Sequence, residues 1–259
     1  MKTIYCTGDS FTAGTELADK DYYGSLYPGY LTASTADDVK RAQYREWWFK
    51  NTSRVNISGI LNKKEKEIAW PSKLGNILQA TVTNAGCAGK SMQYIADTMV
   101  SDIIKLNHRP DLVIVQFTDP VRLEFTVADN PFTLFLTMKL DQMPIQEQLR
   151  QILLQIETDK SLYHRWLMQI VKIKDFCDAN NIPLLLVDSI NVTKPYLDKF
   201  ADLSHLESYI SQPSISMMDV ALGMNRNSLI FAAGGHFTEI VHDKSAAELS
   251  KIIQDRKLI

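Results

Sequence analysis

Cysteine is scarce in this sequence. Only Cys6, Cys87 and Cys177 occur among the 259 residues, and none of them belongs to a C-x-x-C pair. Three thiols cannot all pair with one another, and this spacing matches neither a disulfide framework nor a zinc site. We therefore expect a reduced compartment, no structural disulfides and no metal centre.

Charge of one sign and long apolar runs are also missing. The net charge of −2 and the pI of about 6.2 give no electrostatic basis for binding nucleic acid or an anionic membrane. No apolar run approaches the roughly 18 residues of a membrane-spanning helix. The apolar stretch from Thr3 to Thr7 is too short for a signal peptide, and no cleavage site follows it. We expect a cytoplasmic protein without nucleic-acid or membrane partners.

What the chain does contain is an alternation of short apolar runs with segments of helical spacing. The runs are mostly continuous, which is typical of parallel strands covered on both faces. They are TIYC at 3–6, ATVTN at 80–84, DLVIVQF at 111–117, IPLLLVD at 182–188 and SLIFA at 228–232. This alternation predicts an α/β fold, a three-layer α/β/α sandwich around a five-stranded parallel sheet.

Four segments have the periodicity of helices. The first begins near Pro71, and its predicted apolar face consists of Leu74, Ile77 and Leu78. The predicted face of the second consists of Met92, Ile95, Met99, Ile103 and Leu106. We expect the remaining two helices at 161–180 and 242–255.

Two segments exceed this minimal alternation. Residues 20–68 are rich in aromatic side chains, among them Tyr22, Tyr23, Trp47 and Trp48, and residues 120–145 contain EFTVADNPFTLFLTMKL. Neither segment has linker-like flanks. We therefore expect a single domain, residues 1–259, with insertions at about 20–68 and 120–145 on the loop edge of the sheet.

The first predicted strand ends in Gly8-Asp9-Ser10. In open parallel sheets, ligands bind at the carboxyl ends of the strands. A serine at this point can present its hydroxyl above the sheet, beside backbone N–H groups that stabilise an oxyanion. The alternative is that Asp9 or Ser10 only caps a helix, which is a frequent role of such residues.

A histidine, His236, follows the last predicted strand and therefore returns to the same edge as Ser10. Serine becomes a good nucleophile when a neighbouring base takes its proton, and histidine is the usual base. A loop histidine without a role is the commoner case. We interpret the other four histidines as surface or helix residues.

Together these motifs resemble the SGNH (GDSL-like) hydrolases. GDSFTAG, NAGCAGKS and GGHFTEIVH resemble that family's blocks I, II and V in order, across almost the whole chain. The resemblance implies a flavodoxin-like strand order, Ser10 as nucleophile, the N–H of Gly89 as an oxyanion donor and His236 as base. It implies no metal and no organic cofactor.

Two positions depart from the family pattern. Block III usually reads G-x-N-D, and here Thr118 replaces the oxyanion-binding asparagine beside Asp119. The variant FTDPVR resembles a divergent subgroup, some of it from phages, so a virus-encoded protein is one interpretation. Arg122 is then expected to face the same cleft, and Asp9 and Asp119 are expected to support it. The threonine hydroxyl can still donate one hydrogen bond to an oxyanion.

The second departure concerns the acid of the family's D-x-x-H motif, because Ala233 stands three residues before His236. A backbone carbonyl or Asp188, at the end of IPLLLVD, can orient the imidazole instead. Another register, Glu239 to His242, keeps the acid-x-x-His spacing but places its histidine at the start of the last helix. A Ser10–His236 dyad is the preferred interpretation.

Gly89-Lys90-Ser91 also completes the end of a phosphate-binding loop, G-x-x-x-x-G-K-[ST]. Asn84 stands where the first glycine of that pattern is required. A nucleotide site also leaves GDSFTAG and GGHFTEI without a purpose. We interpret Lys90 and Ser91 as the start of a helix and a P-loop NTPase as the remote alternative.

The sequence therefore predicts a serine esterase that forms an acyl-enzyme on Ser10. Aromatic residues of the 20–68 insertion suit stacking on a sugar, which favours an O-acetylated carbohydrate, although aromatics that cover a sheet edge are commoner. The alternative is a weak or inactive protein of the same fold that binds carbohydrate or belongs to a virion.

Overall fold

The structure, a computed structural model, describes residues 1–14, 17, 59–127, 130–136, 144–189, 199–210, 215–224 and 236–259. The aromatic residues predicted to bind sugars, the apolar run at 228–232 and the position of Ala233 lie outside these residues. The prediction of one domain with two insertions stays a prediction.

The five-stranded parallel sheet is confirmed. Its strands are β1 (Thr3–Thr7), β2 (Thr81–Asn84), β3 (Leu112–Gln116), β6 (Leu184–Asp188) and β7 (Ile215–Ser216). They are ordered β2-β1-β3-β6-β7, and every neighbouring pair is parallel. This is the flavodoxin-like order. The fifth described strand is the two-residue β7, which the apolar pattern did not predict because two residues are too few to show a period.

Helices connect these strands. They are α1 (Ser10–Ala13), α2 (Gly59–Ile68), α3 (Trp70–Leu78), α4 (Met92–Lys105), α5 (Pro144–Ile156), α6 (Asp159–Ala179), α7 (Ser204–Ile210), α8 (Met217–Leu222) and α9 (Glu239–Asp255). All four predicted helices exist, and α9 begins three residues before its predicted start.

Two residues of the predicted helical faces are exposed, and Leu78 is partly buried. Ile77 is 47% exposed because it lies at the edge of the face through which Trp70 and Leu74 pack. Leu106 is 39% exposed because α4 ends at Lys105 and the backbone of Leu106 is already extended. The remaining predicted residues of α4 are buried.

Helices cover both faces of the sheet, which confirms the three layers. Alternate strand residues point to opposite sides. Tyr5 and Val113 pack with α4 and α6 in one apolar cluster, whereas Cys6 and Ile114 pack with α3 and α9 in the other. The sheet is therefore buried on both faces, as its continuous apolar runs predict.

An antiparallel hairpin follows β3 and lies within the predicted insertion at 120–145. Its strands are β4 (Arg122–Val127) and β5 (Asn130–Phe135), paired from Arg122 with Phe135 to Val127 with Asn130. A small apolar cluster joins this hairpin to α5 and α6 through Leu123, Leu134, Leu153 and Leu162. The hairpin is thereby fixed beside the carboxyl end of β3.

Among the described residues, no helix has both the length and the apolar character needed to cross a membrane.

Candidate active site

Ser10 is the first residue of the single-turn helix α1, directly beyond the carboxyl end of β1. It is 6% exposed. Asp9 is the N-cap, and its carboxylate accepts a hydrogen bond of 3.1 Å from the N–H of Phe11. N–H groups in a first helical turn have no partner within the helix, so Ser10 presents a backbone donor beside its own hydroxyl. Asp9 therefore does perform the capping role that was the alternative interpretation.

The carboxylate of Asp9 is also paired with Arg122. Nη1 of Arg122 lies 3.0 Å from Oδ2 of Asp9, and the Asp9 side chain is only 1% exposed. A buried carboxylate requires such a partner, because an isolated charge in this environment is costly. The pair joins block I to the first residue of β4.

Gln116, the last residue of β3, supports α1 from below. Its side-chain oxygen, Oε1, accepts hydrogen bonds from the Thr12 hydroxyl and, at 3.4 Å, from Nε1 of Trp70. Its amide nitrogen lies 3.0 Å from the sulfur of Met217. Gln116 is fully buried, and these contacts satisfy its polar atoms.

The block II segment runs along the other side of α1. Asn84 Nδ2 donates to the carbonyl oxygen of Thr12 at 3.0 Å, and its Oδ1 accepts from the N–H of Gly86 at 3.0 Å. A Cβ atom on Gly86 would lie 2.6 Å from the backbone nitrogen of Ala13. Only glycine therefore allows this segment to approach α1 so closely. Gly89 follows with φ of +75°, a conformation that also favours glycine.

Lys90 and Ser91 are engaged with protein groups. Ser91 is the N-cap of α4, as predicted, and its hydroxyl accepts from the N–H of Tyr94 at 3.1 Å. The same hydroxyl donates to Oε2 of Glu124 at 3.0 Å. Nζ of Lys90 lies 3.8 Å from Oε1 of Glu124 and 4.3 Å from the ring centre of Tyr94. Glu124 thus interacts with both the lysine and the serine side chain, which a phosphate-binding loop uses to hold its ligand. This arrangement argues against the nucleotide interpretation.

Thr118 lies two residues beyond the end of β3 and is completely buried. Its carbonyl oxygen accepts a 2.7 Å hydrogen bond from Nε1 of Trp166. Its hydroxyl has no hydrogen-bond partner within the described part of the structure. Asp119 turns the chain towards β4, because its carboxylate accepts from the N–H of Val121 at 3.0 Å.

His236 lies beside the turn that carries Ser10. Its ring centre is 5.4 Å from that of Phe11, the residue after Ser10, and the rings are tilted by 55°. Phe237 is fully buried and also packs against Phe11, with 4.9 Å between the ring centres. The structure therefore brings the predicted base and the turn of the predicted nucleophile together, from opposite ends of the chain.

His242 belongs to the interior. It lies in the first turn of α9, and its Nδ1 accepts a 3.0 Å hydrogen bond from the N–H of Trp70. Burial, with smaller electrostatic contributions from the neighbouring Lys73 and His236, lowers the pKa of His242 to about 3. Glu239 instead pairs with Lys73, with 2.8 Å between Oε1 and Nζ. The acid and the histidine of the Glu239–His242 register thus have different partners, which argues against them as a catalytic pair.

Asp188, the last residue of β6, is buried at the same edge of the sheet. The ends of β1, β2, β3 and β6 and the segments that follow them thus carry the predicted site residues except Arg122, which begins β4, and His236. No group of three or more metal-ligating side chains occurs in the described ranges of the chain.

Several residues that contact the candidate site were not predicted from the sequence. Gln116 carries a signal, because it is the only polar residue in the strand LVIVQ. Gly86 carries a weaker one within NAGCAG. Glu124 gives no local signal, because a glutamate on a hairpin strand is usually exposed.

No protein-family model and no curated protein matches this chain at the level of sequence. Solved structures do match. A protein assigned to the G-D-S-L lipolytic family of Desulfitobacterium hafniense DCB-2 has a TM-score of 0.50 and 12% identity, over 97% of this chain and 99% of the other.

Two carbohydrate esterases are similar as well. One, whose active site has divergent catalytic and non-catalytic binding functions, has a TM-score of 0.51 and 12% identity over 98% of this chain and 65% of its own. The other is a carbohydrate esterase family 2 enzyme with a carbohydrate-binding domain from Corynascus thermopiles (Myceliophthora fergusii). Its TM-score is 0.52 at 10% identity, over 98% of this chain and 66% of its own. At these identities the likeness concerns the backbone, and it shows that the chain has the fold of the SGNH hydrolases.

Proposed function

We propose that this protein is a serine esterase of the SGNH family, with Ser10 and His236 as a catalytic dyad. One observation carries the proposal, which is the packing of the His236 ring against Phe11, 5.4 Å between centres, at the turn that begins with Ser10. This contact supports the dyad, because it joins the imidazole to the residue next to Ser10 at the carboxyl edge of a parallel sheet, where such folds bind ligands.

In the proposed reaction, His236 takes the proton of the Ser10 hydroxyl while the Ser10 oxygen attacks the carbonyl carbon of an ester. The carbonyl oxygen becomes an oxyanion in a tetrahedral intermediate. When this intermediate collapses, the ester C–O bond breaks and His236 returns the proton to the departing alcohol. Water, deprotonated by the same histidine, then releases the acid from Ser10.

The oxyanion is stabilised by the backbone N–H groups of Ser10 and Gly89 and by the hydroxyl of Thr118. The buried Thr118 hydroxyl supports this role, because it has no hydrogen-bond partner in the described structure. A buried hydroxyl without a partner costs about 1–3 kcal/mol. A site that develops negative charge recovers that cost when the hydroxyl donates to the oxyanion.

For the substrate we propose an O-acetyl group on a carbohydrate. Two solved structures of this fold are carbohydrate esterases. Aromatic residues in the 20–68 segment suit contact with sugar rings. Asp9, Arg122, Asp119 and Asp188 are proposed to support the dyad rather than to react.

A fluorophosphonate probe tests the proposal, because it labels serines activated by a neighbouring base. We expect the wild type to be labelled and the Ser10→Ala and His236→Ala variants to remain unlabelled. Ser250→Ala is the matched control. Ser250 is also 6% exposed, but it lies on α9 and its hydroxyl donates a hydrogen bond to the backbone carbonyl of Ala247. Its labelling should equal that of the wild type.

A folded wild type that resists the probe would overturn the esterase proposal, and the carbohydrate-binding alternative would then lead. If labelling occurs, hydrolysis of acetyl, butyryl and longer acyl esters of p-nitrophenol, and release of acetate from acetylated xylan, test the substrate. Preference for long acyl chains would refute the carbohydrate acetyl ester while leaving the dyad intact.

A further inference from the structure

Two side chains of β4 contact the segment that carries Gly89. Arg122 and Glu124 are separated by one residue, so they lie on the same face of the strand. Both point towards Lys90 and Ser91, the two residues that follow Gly89. The apparent phosphate-binding motif is therefore a contact surface for this hairpin strand.

Arg122 joins two parts of the site that come from different strands. Its Nη1 donates to the carboxylate of Asp9 at 3.0 Å and to the backbone carbonyl of Lys90 at 3.4 Å. Asp9 caps the turn that starts with Ser10, and Lys90 is the neighbour of Gly89. One guanidinium nitrogen thus spans the nucleophile turn and the glycine loop. The Arg122 side chain is only 15% exposed, which shields the pair from solvent.

Glu124 fixes the same segment from its other end. Its carboxylate accepts from Ser91 Oγ at 3.0 Å and from Thr133 Oγ1 at 2.8 Å. It also lies 3.8 Å from the ammonium of Lys90. The Glu124 side chain is 10% exposed, so these contacts are largely shielded from water. The loop is therefore held at both Lys90 and Ser91 by one strand.

We propose that Arg122 is a positioning residue that sets the distance between Ser10 and the N–H of Gly89. The inference rests on the proposed esterase function, because it assigns Gly89 to the oxyanion site. Two backbone donors stabilise an oxyanion only when both point at the same place. Glycine can adopt many backbone conformations, so a contact from outside the loop is needed to select the one with φ of +75° that Gly89 has here. Arg122 supplies this contact and does not touch the substrate.

The Arg122→Gln variant tests the proposal. It removes the charge and shortens the side chain, so neither the Asp9 carboxylate nor the Lys90 carbonyl keeps its donor. Displacement of an oxyanion donor by about 1 Å lowers rates by up to roughly a hundredfold. We expect the rate constant of fluorophosphonate labelling to fall between about tenfold and a hundredfold. With p-nitrophenyl acetate, kcat should fall by a similar factor while KM changes less than about twofold, since ground-state binding is untouched.

Arg150→Gln is the matched control. Arg150 also donates to a carboxylate, that of Glu147 at 2.7 and 2.8 Å, and to a backbone carbonyl, that of Leu136 at 2.9 Å. It supports the end of the same hairpin without contacting block I or block II in these bonds. We expect it to lower the melting temperature but to leave the labelling rate unchanged.

If Arg122→Gln does not fold, Arg122→Lys serves as the second variant, because it keeps the positive charge beside Asp9. The lysine side chain is shorter than that of arginine, so its ammonium does not reach both acceptors, and the labelling rate should again fall at least fivefold, by roughly 1 kcal/mol of barrier. Labelling of the wild type with unchanged rates in folded Arg122 variants would overturn the positioning role and leave the dyad standing. Equal losses in the Arg122 and Arg150 variants would also overturn it. An unlabelled wild type would instead refute the esterase function itself.

Discussion

Acid should destabilise this protein through a residue outside the proposed chemistry, His242. The ring accepts the N–H of Trp70 at the start of α3, where Ala69 offers no side chain to cap the helix. Protonation at Nδ1 removes this acceptor and places a positive charge at the positive end of a helix dipole. It does so in a buried position close to Lys73 and His236. The native state therefore needs His242 neutral.

The size and sign of the effect follow from the two pKa values. The pKa of His242 is about 3 in the folded protein, against 6.5 for an unperturbed histidine. The unfolded chain binds a proton as pH falls below 6.5, whereas the native state does not until about pH 3. The contribution of neutral His242 to stability is fully present above pH 6.5. Below that pH, the free energy of unfolding falls by about 1.4 kcal/mol per pH unit. Between pH 7 and pH 5 this one residue should cost about 2 kcal/mol.

Urea unfolding at pH 7, 6 and 5 measures this loss. The informative variant is His242→Asn, because the asparagine oxygen takes the position of Nδ1 and accepts the same N–H without titrating. At pH 7 this variant should be less stable than the wild type, because the smaller side chain leaves a space. Between pH 7 and pH 5, however, its free energy of unfolding should fall by about 2 kcal/mol less than that of the wild type. His108→Asn, at an exposed position, controls for the loss of a histidine. Parallel pH profiles for the wild type and His242→Asn would refute the reasoning.

Two further variants separate stability from reactivity. Thr118→Val removes a buried hydroxyl that lacks a partner in the described structure, so the free energy of unfolding should stay equal or rise by about 1 kcal/mol while probe labelling falls about tenfold or more. Unchanged labelling would exclude this hydroxyl from the oxyanion site. Gly86→Ala forces a Cβ to within 2.6 Å of the Ala13 backbone and should cost about 1–3 kcal/mol and slow labelling. Gly223→Ala is its control, because the nearest atom there is 3.3 Å away and φ is −72°. Equal effects of the two glycine variants in thermal unfolding would contradict the close-approach explanation.

The layered fold was predictable because its signals are local and repeated. Continuous apolar runs such as LVIVQ require cover on both faces, and Pro71 and Ser91 mark helix starts at the expected places. The strand order came from the family resemblance rather than from periodicity. The short strand β7 was missed, because its two residues pair with β6 only in the assembled sheet.

Residue types and motifs indicate the candidate site residues, whereas the contacts between those residues could not be predicted from the sequence. Ser10 and His236 are indicated by their motifs, although only the folded chain brings Phe11 against His236. The bond of Arg122 to Asp9 joins residues that are far apart in sequence, and no spacing rule connects them. Glu239 and His242 show the opposite case. They have the acid-x-x-His spacing and lie on the same helix, but each has a different partner.

The contact between Phe11 and His236 has a consequence for how reactivity is acquired. These residues come from the two ends of the sequence, so their contact closes a very long loop. We expect it to form together with the docking of α9, which packs with α3 and the sheet in one apolar cluster. Such distant pairings are slow to form and come with the cooperative folding step. During refolding, probe labelling of Ser10 should therefore rise with the slowest phase seen by tryptophan fluorescence, so that reactivity reports the completely folded molecule.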